Sequence, residues 1–399
     1  MKNNFLKLTV IAALVLASCN SDDDTADVIV NNNEVVGGGE VIQDPISDDA
    51  ILLSGFQQED LILNSENEYL LNGALVMASG TTLTIPAGTT ISAIRTGLGA
   101  GTFIAISQGA TIEVNGTAEN PVVLTSNEAD PVAGDWGGLI ILGNAPINSA
   151  SGEATSTSEI ANLPYGGTNA EDNSGSISYL RIEYSGGSAD GASENNGLSL
   201  YGVGSDTTLE FIQAFEGLDD GIEFFGGTVN ANNLSVLGAQ DDSIDWTEGY
   251  SGTITDAHIE FLAGEHGNGI EGDGFNDGFG LEQDFFSSPT INNLTIEGLG
   301  STDEGSRGLL LRVGTEATLN NVVINGVETG FNIVGDADAA TTGANVLAGT
   351  LSATDVTFTD VTTVLSNETP EMFTEEDLIS GEGNGVATDF ETWGAGWTR

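Results

Sequence analysis

The sequence predicts an all-β chain wound into a right-handed parallel β-helix, a solenoid with a short C-terminal cap. Three observations predict it. Short runs of alternating apolar residues recur between Gly, Asn and Asp turns. Ile222, Ile244, Ile270, Leu309 and Phe331 each open such a run after a Gly or Ser, at spacings of 22, 26, 39 and 22 residues. Helical periodicity is nearly absent until "TPEMFTEEDLIS" near the end. A base period in the low twenties, stretched by insertions, suits a coil that returns to stack on itself. A β-propeller or β-sandwich would instead want antiparallel hairpins at closer spacing.

Taken in chain order, residues 1–19 read as a secretory signal. Lys2 and Lys7 supply positive charge, and Leu8 to Leu16 supply an apolar core too short to span a bilayer. It ends in Leu16-Ala17-Ser18-Cys19. This resembles a bacterial lipobox, which implies a lipid on Cys19 and an outer-membrane anchor. Cys19 is also the only cysteine, so no intrachain disulfide is possible. The acidic cluster Asn20-Ser21-Asp22-Asp23-Asp24 resembles the surface-export signal of Bacteroidota lipoproteins and implies exposure on the cell surface. Residues 20–50, polar and poor in aromatics, read as a flexible tether.

Residues 51–365 form the predicted β-helix. A second set of runs begins at Leu209, Val229, Ile254, Ile291 and Leu319. A single coil cannot bury its inward residues alone; stacking places Ile on Ile about 4.8 Å apart. The phrases "TTLTIPAGTTISA" and "GTAENPVVLTS" extend the pattern toward the N-terminus. "GTAENPVVLTS" resembles the coil signature of secreted β-helix proteins of the pectin-lyase-like superfold. The region resembles uncharacterised β-helix lipoproteins of Bacteroidota, which implies scaffold and location rather than a reaction. A stack has exposed ends. "ILLSGF" and "EYLLNGALVMA" are expected to cover one, and residues 366–399, with Trp393 and Trp397, the other.

Composition narrows the partners. Of 399 residues 60 are acidic and 7 basic, a formal net charge of −53. Without the two signal lysines, five arginines and no lysine remain. Nucleic acid is therefore excluded as a partner, and anionic polysaccharides need a bridging cation. There is no G-x-S-x-G elbow or phosphate loop, and two histidines, His258 and His266, do not make a zinc site.

The chemistry-bearing residues cluster in two repeated phrases, "GLDDGIEFFGG" and "AQDDSIDWTEG". With Ile222, Ile244 and Ile270 inward, Glu223, Asp245 and Glu271 point outward from one face. The turns bring Asp219, Asp220, Asp241 and Asp242 beside them, and the next coil adds His266, Asp273 and Asp277. Three readings stay open. One is a solvated acidic face. Another is a calcium site of Asp219, Glu223, Asp245, Glu271 and Asp273, because hard cations take clustered carboxylates. The third is a catalytic set, Asp220, Asp241, Asp242 and His266, with paired carboxylates as general acid and base.

The third reading rests on resemblance to the polygalacturonase family, which carries Asn-Thr-Asp, Asp-Asp, Gly-His-Gly and Arg-Ile-Lys on successive coils. Asp220 in "LDDG" matches the first Asp, Asp241 and Asp242 in "QDDS" the pair, and His266 and Arg312 fall near the His and Arg. Leu218-Asp219 replaces Asn-Thr, Glu265 precedes His266, and Val313-Gly314 replaces Ile-Lys. The missing cationic clamp points hydrolysis toward a neutral glycan. The expected function is a surface lipoprotein whose acidic face binds calcium, a glycan or a surface partner. The alternatives are an inverting glycoside hydrolase of neutral polysaccharide and an accessory subunit of an outer-membrane uptake or secretion complex.

Overall fold

The computed structural model describes residues 50–151, 155–188, 195–276, 281–282, 284–335 and 341–399. Cys19, the signal, all but the last residue of the tether, and Asp277 lie outside them. The described strands form a right-handed parallel β-helix with three faces, joined rung to rung in one parallel sheet. One antiparallel pair, Ser156–Thr157 with Pro164–Tyr165, sits in an insertion.

The first face stacks Ile85, Val114, Ile177, Leu209, Ala231, Ile254, Ile291, Leu319, Ala353 and Ile379 in register. The register partner of Leu209 is Ala231 rather than Val229, a two-residue offset that keeps the same side inward. The second face stacks Leu124, Ile182, Ala214, Val236, Ile259, Ile296, Ile324 and Phe358. The third stacks Leu198, Ile222, Ile244, Ile270, Leu309, Phe331 and Leu365, the order the sequence spacing predicts. Most of these side chains are wholly buried. Each contributes about 1.5–3 kcal/mol when withdrawn from water, but only when a neighbouring coil covers it.

The bend between the first two faces has a local cause. Tyr179, Phe211, Asn233, Asp256, Asn293, Asn321 and Asp355 occupy the same corner of successive coils with φ between 50° and 60°. That left-handed region suits Asn and Asp, whose short polar side chains bond locally. Here they bond one another up the stack: Asn321 donates to Asn293 at 2.8 Å, and Asn293 to Asp256 at 3.0 Å. The phrases "ANNL", "INNL" and "LNNV" are the sequence form of this corner. Inside the third face, Gly272 follows Trp246 in the column, and a Cβ there would come within 2.4 Å of the indole.

"ILLSGF" and "EYLLNGALVMA" are the first turns of the coil itself, pairing in parallel as Ile51–Gln57 and Tyr69–Met77. Residues 366–399 only begin as a cap: Ile379–Ser380 adds a last short rung on Leu351–Glu368. The chain then doubles back along the outside. Val386 exchanges hydrogen bonds with Asn321, Thr388 NH donates to Thr295, and Phe390 stacks on His258 at 4.0 Å. Trp397, wholly buried, meets Tyr179 and Phe211 edge-on. Arg399 reaches Glu183 with two N–H groups, each at 3.0 Å. The segment is a strap as well as a cap, and its Trp397 covers the part-buried Tyr179 and Phe211 on the side of the coil.

Candidate functional site: an acidic groove on the third face

Alternation on the third face turns Ile222, Phe224, Ile244, Trp246 and Ile270 inward and leaves Glu223, Asp245 and Glu271 outward. These three are register partners on consecutive coils, so their backbones are one strand spacing, about 4.8 Å, apart. Glu223, Asp245 and Glu271 line a cavity of about 390 Å³ together with Thr247, Asp273, Asn276, Arg312, Val313 and Val334. Ligand atoms of Asp220, Glu223 and Asp245 lie within 4.8 Å of one another, as do those of Asp242, Asp245 and Glu271, and those of Asp219, Asp220 and Asp241.

The paired aspartates of the turns have a different task from the outward column. Asp220 accepts the Asp242 backbone N–H at 2.8 Å, and Asp242 accepts that of Asn268. Both are buried and stitch one coil to the next. Asp219 is half-buried and Asp241 exposed at the edge. His266 engages a carboxylate outside this set: its Nε2 lies 2.8 Å from Asp303 and its ring stacks on Phe261. The structure therefore brings Glu223, Asp245, Glu271 and Asp273 into one cavity, keeps Asp220 and Asp242 in its supporting layer, and engages His266 elsewhere.

The electrostatics follow from crowding. Burial, then the neighbouring Glu223 and Glu271, push Asp245 well above the usual carboxylate range. Burial and Asp220 do the same to Glu223, against a hydrogen bond from Asn196. Burial lifts Glu271 to about 8, with Asp242 adding and Arg312 opposing. Burial and Asp241 lift Asp242 to about 6, offset by the Asn268 amide. Arg312 donates to Asp273 at 2.8 Å and also pairs with Glu271. Its own charge is reinforced by those acids despite burial. One guanidinium cannot balance four carboxylates. Two oxygens of the wall, Asp245 Oδ1 and Thr247 Oγ1, have no hydrogen-bond partner among the described residues, and Thr247 is 5% exposed.

Thr247, Asn276, Val313 and Val334 were not foreseen as lining residues. Thr247 could have been: it stands two positions after Asp245 and so faces the same way. Val334 closes its strand one position after the inward Ile333 and was legible in the same way. Asn276 and Val313 lie beyond strand ends, where alternation no longer applies.

An oxygen-rich groove on a parallel β-helix defines a class, scaffolds that present a polar trough along one stacked face. The chain belongs to the pectate-lyase-like β-helix domain family, whose match runs over residues 55–398. Among solved structures, the family 28 exopolygalacturonase of Yersinia enterocolitica is similar, with 11% identity, 78% of this chain and 74% of that one covered, and a TM-score of 0.19. That superposition is too loose to carry residues across. Curated proteins provide no match.

Proposed function

We propose that the third-face groove binds a glycan with the help of a divalent cation, calcium by its chemistry, on a lipoprotein held at the outer-membrane surface through Cys19. The observation that carries this is the stacked triplet Glu223, Asp245 and Glu271 on the wall of one cavity, held against ionisation by burial and by one another. The donor set is all oxygen, which suits calcium's six to eight hard ligands. The unpartnered Asp245 oxygen fits a ligand's place, and the Thr247 hydroxyl fits a sugar hydroxyl. A bound cation would let the carboxylates ionise without mutual repulsion. The family's pectate-lyase-like description supports a carbohydrate-related role, and the "LASC" run supports the anchor.

A second reading is favoured by one further observation. Glu271 and Asp273 point outward two positions apart on one strand and share Arg312, whose Nη2 reaches an oxygen of each. One carboxyl held protonated beside one paired with a cation is the division of labour that general acid and base need. Glu271, lifted to about 8, would be the acid, and Asp273, paired with Arg312, the base. Asp220 and Asp242 would then position the site through the coil-to-coil bonds they accept.

The test is calorimetric titration of calcium into the Cys19→Ser chain, beside a Glu223→Gln, Asp245→Asn, Glu271→Gln variant. Binding by the parent alone, with calcium-dependent retention of a neutral polysaccharide, supports the proposal. No calcium binding by the parent refutes it. Reducing-end release that Glu271→Gln abolishes would establish the second reading.

A further inference from the structure

The groove has a neighbour that its chemistry does not use. Glu248 follows Thr247, is wholly buried, and holds a left-handed backbone with φ of 53°. Two hydroxyl groups from the insertion between Leu142 and Gly175 bond its carboxylate. Ser149 donates at 2.6 Å and Tyr165 at 2.9 Å. The Glu248 carbonyl also accepts the Asn148 N–H at 2.9 Å. Asn148 carries the contact further: its amide group donates to the carbonyls of Gly274 and Phe285, and its carbonyl accepts the Glu282 N–H. That second loop includes Asn276, which lines the cavity. One buried carboxyl thus joins an insertion 83 residues earlier in sequence to the wall of the groove.

We infer that Glu248 is the latch of a pH-gated groove wall: the insertion stays docked while Glu248 is protonated and loosens when it ionises. The surroundings set the direction. Glu159, on the same insertion, is the charged group that faces Glu248, and it is of like sign. Tyr165 is raised far above its ordinary range by burial and by Glu248, so it stays a neutral donor. Glu282 of the later loop meets this junction through its backbone amide, and no arginine pairs with Glu248 among the described residues. Burial lifts Glu248 to about 7, with Ser149 and Tyr165 opposing and Glu159 adding. Undocked and hydrated, it returns to the ordinary value near 4.5. The docked form therefore holds the proton more tightly. Docking is fully favoured below about pH 4.5 and weakens as pH rises through about 7, by up to about 300-fold.

Hydrogen exchange on the full chain, without glycan or added cation, tests the latch apart from the groove's ligand. The amides of Asn148, Ser158 and Gly166, each hydrogen-bonded in the docked state, are followed from pH 5.5 to 8.5 after correction for intrinsic rates. The expected result is protection that falls by tenfold or more across that range in the parent and stays level in Glu248→Gln. Level protection in the parent, or an equal fall in Glu248→Gln, overturns the inference. If Glu248→Gln does not fold, Tyr165→Phe serves. Removing one donor disfavours the ionised form, so the midpoint should move to higher pH; an unmoved midpoint overturns it.

Discussion

Glu183 on the second face and Glu271 on the third are both carboxylates on the outside of the same β-helix, and their surroundings differ in one respect. Glu183 is 1% exposed, yet it accepts hydrogen bonds from Arg181, Arg399 and Thr125, and its acidity is strengthened against burial. Glu271 shares a single guanidinium with Asp273 and is pushed to about 8. Two of the chain's five arginines serve the one acid, in a protein of net charge −53. A buried carboxylate with its cations supplied is a fastening. A stack of them without cations stores repulsion that only protons or a ligand relieves. The strap-covered face has its charge balanced, and the groove does not.

The largest effect should come from uncovering the fastened face. Trp397→Ala empties a fully buried site against the stacked rings of Tyr179 and Phe211. Loss of about 3–5 kcal/mol in urea unfolding is expected, with Glu183 returned to water as the strap lifts. A loss under about 1 kcal/mol would mean the strap rests on the coil without fastening it. The reverse should hold in the groove. Neutralising Glu223, Asp245 and Glu271 together is expected to stabilise the cation-free chain by about 1–4 kcal/mol, while removing the thermal shift that calcium gives the parent by mass action. Destabilisation by the triple change would place the two faces in one category and end the comparison.

Much of this was legible in the sequence, for a physical reason. Stacked coils repeat their inward residues, so the order Ile222, Ile244, Ile270, Leu309, Phe331 is written in the chain, and alternation then puts Glu223, Asp245 and Glu271 on the outside. The "NN" pairs fall inside runs that read as strands, and their ladder of left-handed backbone was not legible there. What periodicity cannot carry is contact between distant, non-repeating segments. Arg399 meets Glu183 across 216 positions and Tyr165 meets Glu248 across 83. Asp220 and Asp242 look like a catalytic pair because the phrase repeats, yet their oxygens are taken by backbone amides of the next coil. His266 likewise has the right neighbours in sequence and a different one, Asp303, in space.

The finest difference between the faces should appear in the pH dependence of stability, at most about 1.4 kcal/mol per pH unit for each proton taken up. Glu183 is lowered in the folded chain, so its contribution is present above the unfolded value near 4.5 and is lost as pH falls through the folded one. The groove acids are raised. Asp242 at about 6 and Glu271 at about 8 bind protons that the unfolded chain has already released. Their contribution is complete below about pH 4 and drains away as pH climbs through 6 and then 8. The melting temperature should therefore peak near pH 5 and fall toward pH 8. Glu271→Gln should flatten the alkaline arm alone, and Glu183→Gln the acid arm alone. Calcium should also flatten the alkaline arm in the parent, since a cation bound among ionised carboxylates replaces the protons. A melting temperature that rises from pH 5 to 8 without calcium would show that the groove acids ionise freely, and the stored repulsion would then have no role in binding.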